Sequence, residues 1–299
     1  MASAPLASND VSHAATATPS AQRRFWRRLR GERKAILGML IVAILTILAV
    51  VGPALAPYDP EADDFDLFAE PSMEHPLGTD SFGRDILSRM MAGTQISFTV
   101  GISVALLSLV IGVTLGMVAG YFGGWIDSLI MRFMDLLWAF PEIILAVGMV
   151  AVFGAGIRNI IVAIAIAYLD DFARVVRAEV LRLREEDFSL AARASGASHV
   201  RIMFRHILPN TMAPIIVQAT FAVGLGILAE SGLTFLGLGV DPSTPTWGLI
   251  INEGRDFVRQ AWWISVFPGV AIMITVLGLN LLGDGLRDTL DVRGIQDAS

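Results

Sequence analysis

The chain has 299 residues, 54% of them hydrophobic and 17% charged, with a formal net charge of −6. A water-soluble domain carries about 45–50% apolar and about 25% charged residues, so this balance excludes a purely aqueous protein. The absence of cysteine excludes disulfides, thiolate metal sites and cysteine nucleophiles, and the absence of any G-x-x-x-x-G-K-[ST] string excludes a phosphate-cradling P-loop, and with it ATP hydrolysis by this chain.

Residues 1–22 are rich in Ala, Ser, Thr and Pro, lack periodicity and are expected to be disordered. Arg23, Arg24, Arg27, Arg28, Arg30, Arg33 and Lys34, the sole lysine, then form a basic cluster, so that residues 1–30 read as a basic tail and 31–294 as the membrane domain. The apolar run that follows, residues 35–56, exceeds the ~7–15 residues of a signal-peptide h-region and meets the ~20 needed to cross a bilayer. It is therefore predicted to be an uncleaved first span, with the basic cluster holding the N-terminus in the cytoplasm. Residues 57–95 contain nine acids (Asp59, Glu61, Asp63, Asp64, Asp66, Glu70, Glu74, Asp80 and Asp85) against Arg84 and Arg89 alone. The scarcity of arginine places this loop outside, as a solvated charge run or a docking surface. His75 among unclustered acids is a poor transition-metal site, and no metal or other cofactor is expected.

The second span is predicted at residues 96–118, and the third at 131–153, interrupted by Asp135, Pro141 and Glu142. Arg132 and Asp135 are spaced to pair at i, i+3. Glu142, just after Pro141, either lines a pore or bonds backbone groups freed by the proline. A second arginine-rich segment, Arg174 to Arg205, belongs in the cytoplasm. Three spans would leave it outside, so residues 157–176 must also cross, although their charge-free core is short. Spans five, at 211–230, and six, at 262–282, return the C-terminus to the cytoplasm near Arg287 and Arg293. Glu230 ends span five, and Asp284 reads as a cap at the end of span six.

Between spans four and five, residues 187–210 read DFSLAARASGASHVRIMFRHILPN. Phe188, Ala191, Ala192 and Ser195 fall on one helical face. Gly196 ends that helix as a left-handed C′ residue, and Ser198 caps a second helix. In it Val200, Phe204, Ile207 and Leu208 make an apolar stripe, with Arg201 and Arg205 opposite, until Pro209 ends it. An exposed hairpin of small and apolar residues calls for a protein partner or for a lipid surface; the residues by themselves leave both open.

The hairpin resembles the EAA loop of ABC-importer permeases, whose pattern is E-A-A, three residues, G, nine residues, I, one residue, L-P. Ala191, Ala192, Gly196, Leu208 and Pro209 match in spacing; Leu190 and His206 depart from the first Glu and the Ile. RHILPN (205–210), HPLGTDSFGRDILSRMMAGTQISF (75–98), LTFLGLGVDPSTPTWG (233–248) and FPGVAIMITVLGLNLLGDGLRDTLD (267–291) resemble the dipeptide and oligopeptide branch, and within it the C-type permease. The resemblance implies an all-α membrane protein: the transmembrane domain of a type I importer, with six spans and a cytoplasmic coupling hairpin. It implies a multi-pass subunit of the bacterial inner membrane, both termini cytoplasmic, paired with a B-type permease, two ATP-binding subunits and a periplasmic substrate-binding protein, and it implies no nucleic-acid partner. Ala191, Ala192, Gly196, Arg201, Leu208 and Pro209 would then dock an ATPase subunit, and Pro141, Glu142 and Glu230 are pore or gate candidates, Glu230 as a contact for a peptide amine or as a structural group. Relatives also import glutathione and nickel chelates. A proton-driven secondary transporter would leave the hairpin without a purpose, and a membrane enzyme lacks a Ser/His/Asp grouping.

Overall fold

The computed structural model describes residues 29–241 and 243–290. The expected disordered tail, Arg23, Arg24, Arg27, Arg28 and Arg293 lie outside them. The described residues form helices joined by short loops, with one isolated bridge between Thr79 and Asp85.

Helix α1, Arg33–Leu55, covers the first predicted span. Helix α2, Ile86–Phe122, runs 37 residues, well beyond the second, because its polar first turns pack on protein rather than lipid. Asp85 caps it, accepting from the Ser88 amide at 2.8 Å and the Ser88 hydroxyl at 2.7 Å. The third predicted span is two helices, α3 (Gly124–Trp138) and α4 (Glu142–Phe153), bent by 91° at Pro141. Proline has no amide hydrogen to donate and drives the preceding residue out of the helical region. The expected fourth span is likewise divided, into α5 (Ile157–Ala167) and α6 (Leu169–Leu183), which meet at Tyr168. An 11-residue helix reaches only ~16 Å, short of ~30 Å of hydrocarbon, and α6 is charged on one side. Helix α7, Asp187–Ala194, precedes a continuous helix from His199 to Phe235, made of α8 (His199–Ile202), a π turn (Met203–Ile207) and α9 (Leu208–Phe235). A short α10 (Trp247–Gly254) leads into α11, Trp263–Leu290. Length and composition qualify α1, α2, the His199–Phe235 helix and α11 as spans, with the bent α3–α4 pair as a fifth; the helix lengths do not supply the sixth.

Helix α2 is the hub, packing on α1, α6 and α9. Gly112, Gly116 and Gly120 line its contact with α6, where Phe172, Ala173, Val176 and Val180 are buried. A Cβ on Gly116 would meet the Ala173 carbonyl and lie 3.0 Å from Val176 Cβ; one on Gly120 would lie 2.9 Å from the Arg177 carbonyl. Small residues let the two backbones touch. Gly116→Leu is therefore expected to overpack this seam at a cost of about 1–3 kcal/mol, whereas Gly148→Ala, where no atom lies within 4 Å of the added Cβ, is silent. Thermal unfolding of both variants in lipid nanodiscs checks this, and equal midpoints would refute it.

The α1–α2 loop is only partly the solvated charge run its composition suggests. Seven of its acids are exposed, but Asp80, Asp85 and His75 are buried, as is Arg89 in the first turn of α2. Asp80 Oδ2 accepts from Arg84 Nε and Arg89 Nη1, each at 2.7 Å. Glu253 Oε2, on α10, accepts from Arg84 Nη2 at 2.9 Å and Arg89 Nη2 at 2.8 Å. Burial outweighs the Arg84 guanidinium and holds the Glu253 carboxyl above its usual range. His75 Nδ1 lies 2.9 Å from Asp85 Oδ1, so this histidine is engaged by one carboxylate, and no cluster of three metal-ligating side chains occurs among the described residues. Trp263 Nε1 donates to the Thr79 carbonyl at 3.1 Å, tying the knot to the start of α11.

Candidate functional site: an exposed helical hairpin and the membrane-embedded acids

The hairpin begins where α6 ends. Ser189, fully buried, donates its hydroxyl to the Leu183 carbonyl at 2.7 Å and pins the start of α7. Helix α7 stops in a paired 6→1 and 5→2 turn: the Ala197 amide donates to the Ala192 carbonyl at 3.1 Å and the Gly196 amide to the Arg193 carbonyl at 3.0 Å. Gly196 has φ +77°, the left-handed region that a Cβ disfavours. Ser198 Oγ then accepts from the Arg201 amide at 3.4 Å, capping the return helix.

The return helix does not end at Pro209. Its hydrogen bonds lengthen across the π turn, the Leu208 amide donating to the Met203 carbonyl, and Pro209 falls in the first turn of α9. A missing amide hydrogen costs least there. Asn210 Nδ2 donates to the His206 carbonyl at 2.6 Å, and Thr211 Oγ1 to the Leu208 carbonyl at 2.8 Å, satisfying carbonyls beside the π turn.

The π turn also changes which side of the return helix is buried. Ile202, Met203 and Ile207 pack with Met117 and Tyr121 of α2 and Val176, Val180 and Leu183 of α6, and Leu208 is partly buried against the same cluster. Val200 and Phe204, expected in that stripe, are 61% and 57% exposed. Tyr121 Oη lies 2.9 Å from His199 Nδ1, a contact with no signal in the sequence. Arg184 Nη1 donates to the Gly120 carbonyl at 2.9 Å. The hairpin is thus fixed to the ends of α2 and α6 while Phe188, Leu190, Ala191, Ala194, Gly196 and Val200 face outward, Arg201 and Pro209 are exposed and Ala192 is half-buried.

The remaining candidates are dispersed. Pro141 and Glu142 start α4 at the bend, exposed, with Glu142 near the Tyr168 hydroxyl and Asp171. Asp135 pairs with Arg174 at 2.9 Å rather than with Arg132, because the turn at Tyr168 lays α6 alongside α3. Glu230 is fully buried; Thr234 Oγ1 donates to its Oε1 at 2.9 Å, and Ser97, Ser231 and Thr246 surround it. Hydroxyls from α2, α9 and the approach to α10 enclose the carboxyl, and a peptide amine does not reach it in this conformation. Arg177 forms a bidentate pair with Asp127 in the first turn of α3, at 2.5 and 2.6 Å. This pair ties α3 to α6.

The family described as the binding-protein-dependent transport system inner membrane component matches residues 112–294, and the N-terminal TM domain of oligopeptide transport permease C matches residues 20–72. A dipeptide transport system permease protein of Alkalihalophilus pseudofirmus is 44% identical over 270 residues, 90% of this chain and 89% of its own. A putative peptide transport system permease protein of Brucella suis is 45% identical over 89% of this chain and 90% of its own. A glutathione transport system permease protein of Escherichia coli is 47% identical over 89% of each.

Proposed function

The chain belongs to the family of inner membrane components of binding-protein-dependent transport systems, and on that premise we propose that it is one of two permease subunits of an ATP-driven importer of short peptides. The carrying observation is the hairpin. Its outward face sets the small Ala191, Ala194 and Gly196 among Phe188, Leu190 and Val200, it turns at Gly196 in a paired hydrogen-bonded turn, and it is pinned by hydrogen bonds to the ends of α2 and α6. A partner that grips such a lever moves those helices with it, which is what alternating access requires. The chain contains no P-loop of its own, so the partner on the hairpin supplies ATP hydrolysis. In this reading Ala191, Ala192 and Gly196 sit in a groove of an ATPase subunit, where side chains of one carbon or none allow close backbone approach. Both termini and the hairpin face the cytoplasm, and the α1–α2 knot faces the substrate-binding protein.

The test is reconstitution of the chain with its partner permease, ATPase subunits and binding protein. Uptake of labelled dialanine is expected to require both ATP and the binding protein. Uptake that persists without ATP, or ATPase subunits that never co-purify, would sink the proposal. The relatives named for glutathione favour a second cargo for the same machine; glutathione competing with dialanine for uptake would support it.

A further inference from the structure

A cavity of about 540 Å³ opens between α6, α9 and α11 at the hairpin end of the bundle. Its volume lies within the ~300–1,000 Å³ typical of small-ligand sites. Polar side chains enter it from all three helices: Glu179 and Arg182 from α6, Gln218 from α9 and Arg287 from α11, beside the Phe221 ring. Gly283 gives that ring its seat, since a Cβ there would lie 2.9 Å from it. The polar side chains sit beside the apolar Val175, Val217 and Leu290 in the same lining, so the cavity offers both hydrogen-bonding and apolar contacts. Glu179 and Arg182 answer each other at 2.7 Å. Arg182 also lies 3.3 Å from Glu186, so its charge is met within and just beyond α6, whereas Arg287, exposed on α11, makes no ion pair among the described residues.

We propose that this cavity is a product site that holds an imported peptide before its release into the cytoplasm. The guanidinium of Arg287 takes the free C-terminal carboxylate in a bidentate pair, the Gln218 amide bonds the peptide backbone, and Phe221 carries an apolar side chain. Peptide accumulating on the cytoplasmic face fills the site and slows import. This inference rests on the peptide-import reading above.

The experiment uses the complete complex in inside-out proteoliposomes, with binding protein and labelled dialanine inside and ATP outside. Unlabelled dialanine added outside is expected to slow ATP-driven movement of the label. In Arg287→Gln and in Gln218→Ala, the concentration that halves each variant's own rate should rise about tenfold, equivalent to 1.4 kcal/mol. Dialanine blocked at both termini should inhibit about tenfold less. Equal sensitivity in both variants, or equal inhibition by the blocked peptide, overturns the proposal. A rate that follows the phosphatidylethanolamine content of the vesicle and ignores added peptide assigns the cavity to a lipid headgroup and overturns it too. ATP-driven transport that carries no peptide at all would instead refute the peptide-import reading.

Discussion

Gly196→Val is expected to leave the chain inserted and folded while abolishing ATP-driven uptake. Nothing lies within 4 Å of a Cβ built at this glycine, so the change meets no steric obstacle. It meets a backbone one: φ +77° costs a β-branched residue about 1–2 kcal/mol. The turn escapes that strain by unwinding. The bonds from Ala197 to Ala192 and from Gly196 to Arg193 then break, and α7 loses its fixed angle to the return helix. The loss is local, because the core beneath the hairpin, Ile202, Met203 and Ile207 against α2 and α6, does not depend on Gly196. The expected pattern is an unchanged unfolding midpoint, reduced co-purification of ATPase subunits and no uptake. Gly196→Asn, which tolerates the left-handed region, should retain substantial uptake. Normal uptake in the valine variant would remove the hairpin from the mechanism.

Arg89→Met should be the most destabilising single change among the charged residues around the α1–α2 loop and the first turn of α2. Arg89 is 1% exposed, and its guanidinium bridges Asp80 and Glu253. Removing one partner of a buried ion pair costs up to about 3–5 kcal/mol when the remaining charge is left unpaired; here the two carboxylates lose one of their two arginines, so the cost falls below that ceiling. Arg84 remains as the counter-charge for both acids. The double variant Arg89→Met/Glu253→Gln should therefore cost less than the sum of the two single changes. Thermal unfolding of the four proteins in one detergent measures this coupling, and strict additivity would show that the bridge carries no energy of its own.

How much of this was legible depends on the range of the interaction. The end of α7 was readable because a left-handed glycine and a serine cap act within one turn, and Gly196 and Ser198 stand where those rules need them. The buried face of the return helix was readable only in part: Ile207 and Leu208 pack inward as the stripe requires, whereas Val200 and Phe204 do not. Ile202 and Ile207 are five residues apart, a spacing that shares a face only where hydrogen bonds run i→i+5. A 3.6-residue period instead selected Val200 and Phe204. Pro209 was read as a helix stop, since the local rule does not know that a π turn has already opened the backbone. The acids of the α1–α2 loop were read as one surface run. Two of them are buried, and Glu253, which shares their arginines, lies 164 residues beyond Arg89.

The sequence by itself determined that this chain lives in a bilayer, which of its segments are apolar enough to cross, and where the hairpin turns. Hydropathy acts over a window of ~20 residues and capping over about four, so both are written in contiguous stretches. Only the tertiary structure decided that α3 and α4 bend apart, that the fourth segment divides at Tyr168, that Asp135 takes Arg174, and that Arg287 and Gln218 converge on one cavity. Each depends on helices distant in the chain packing side by side, and the nearest partner in space is seldom the nearest in sequence.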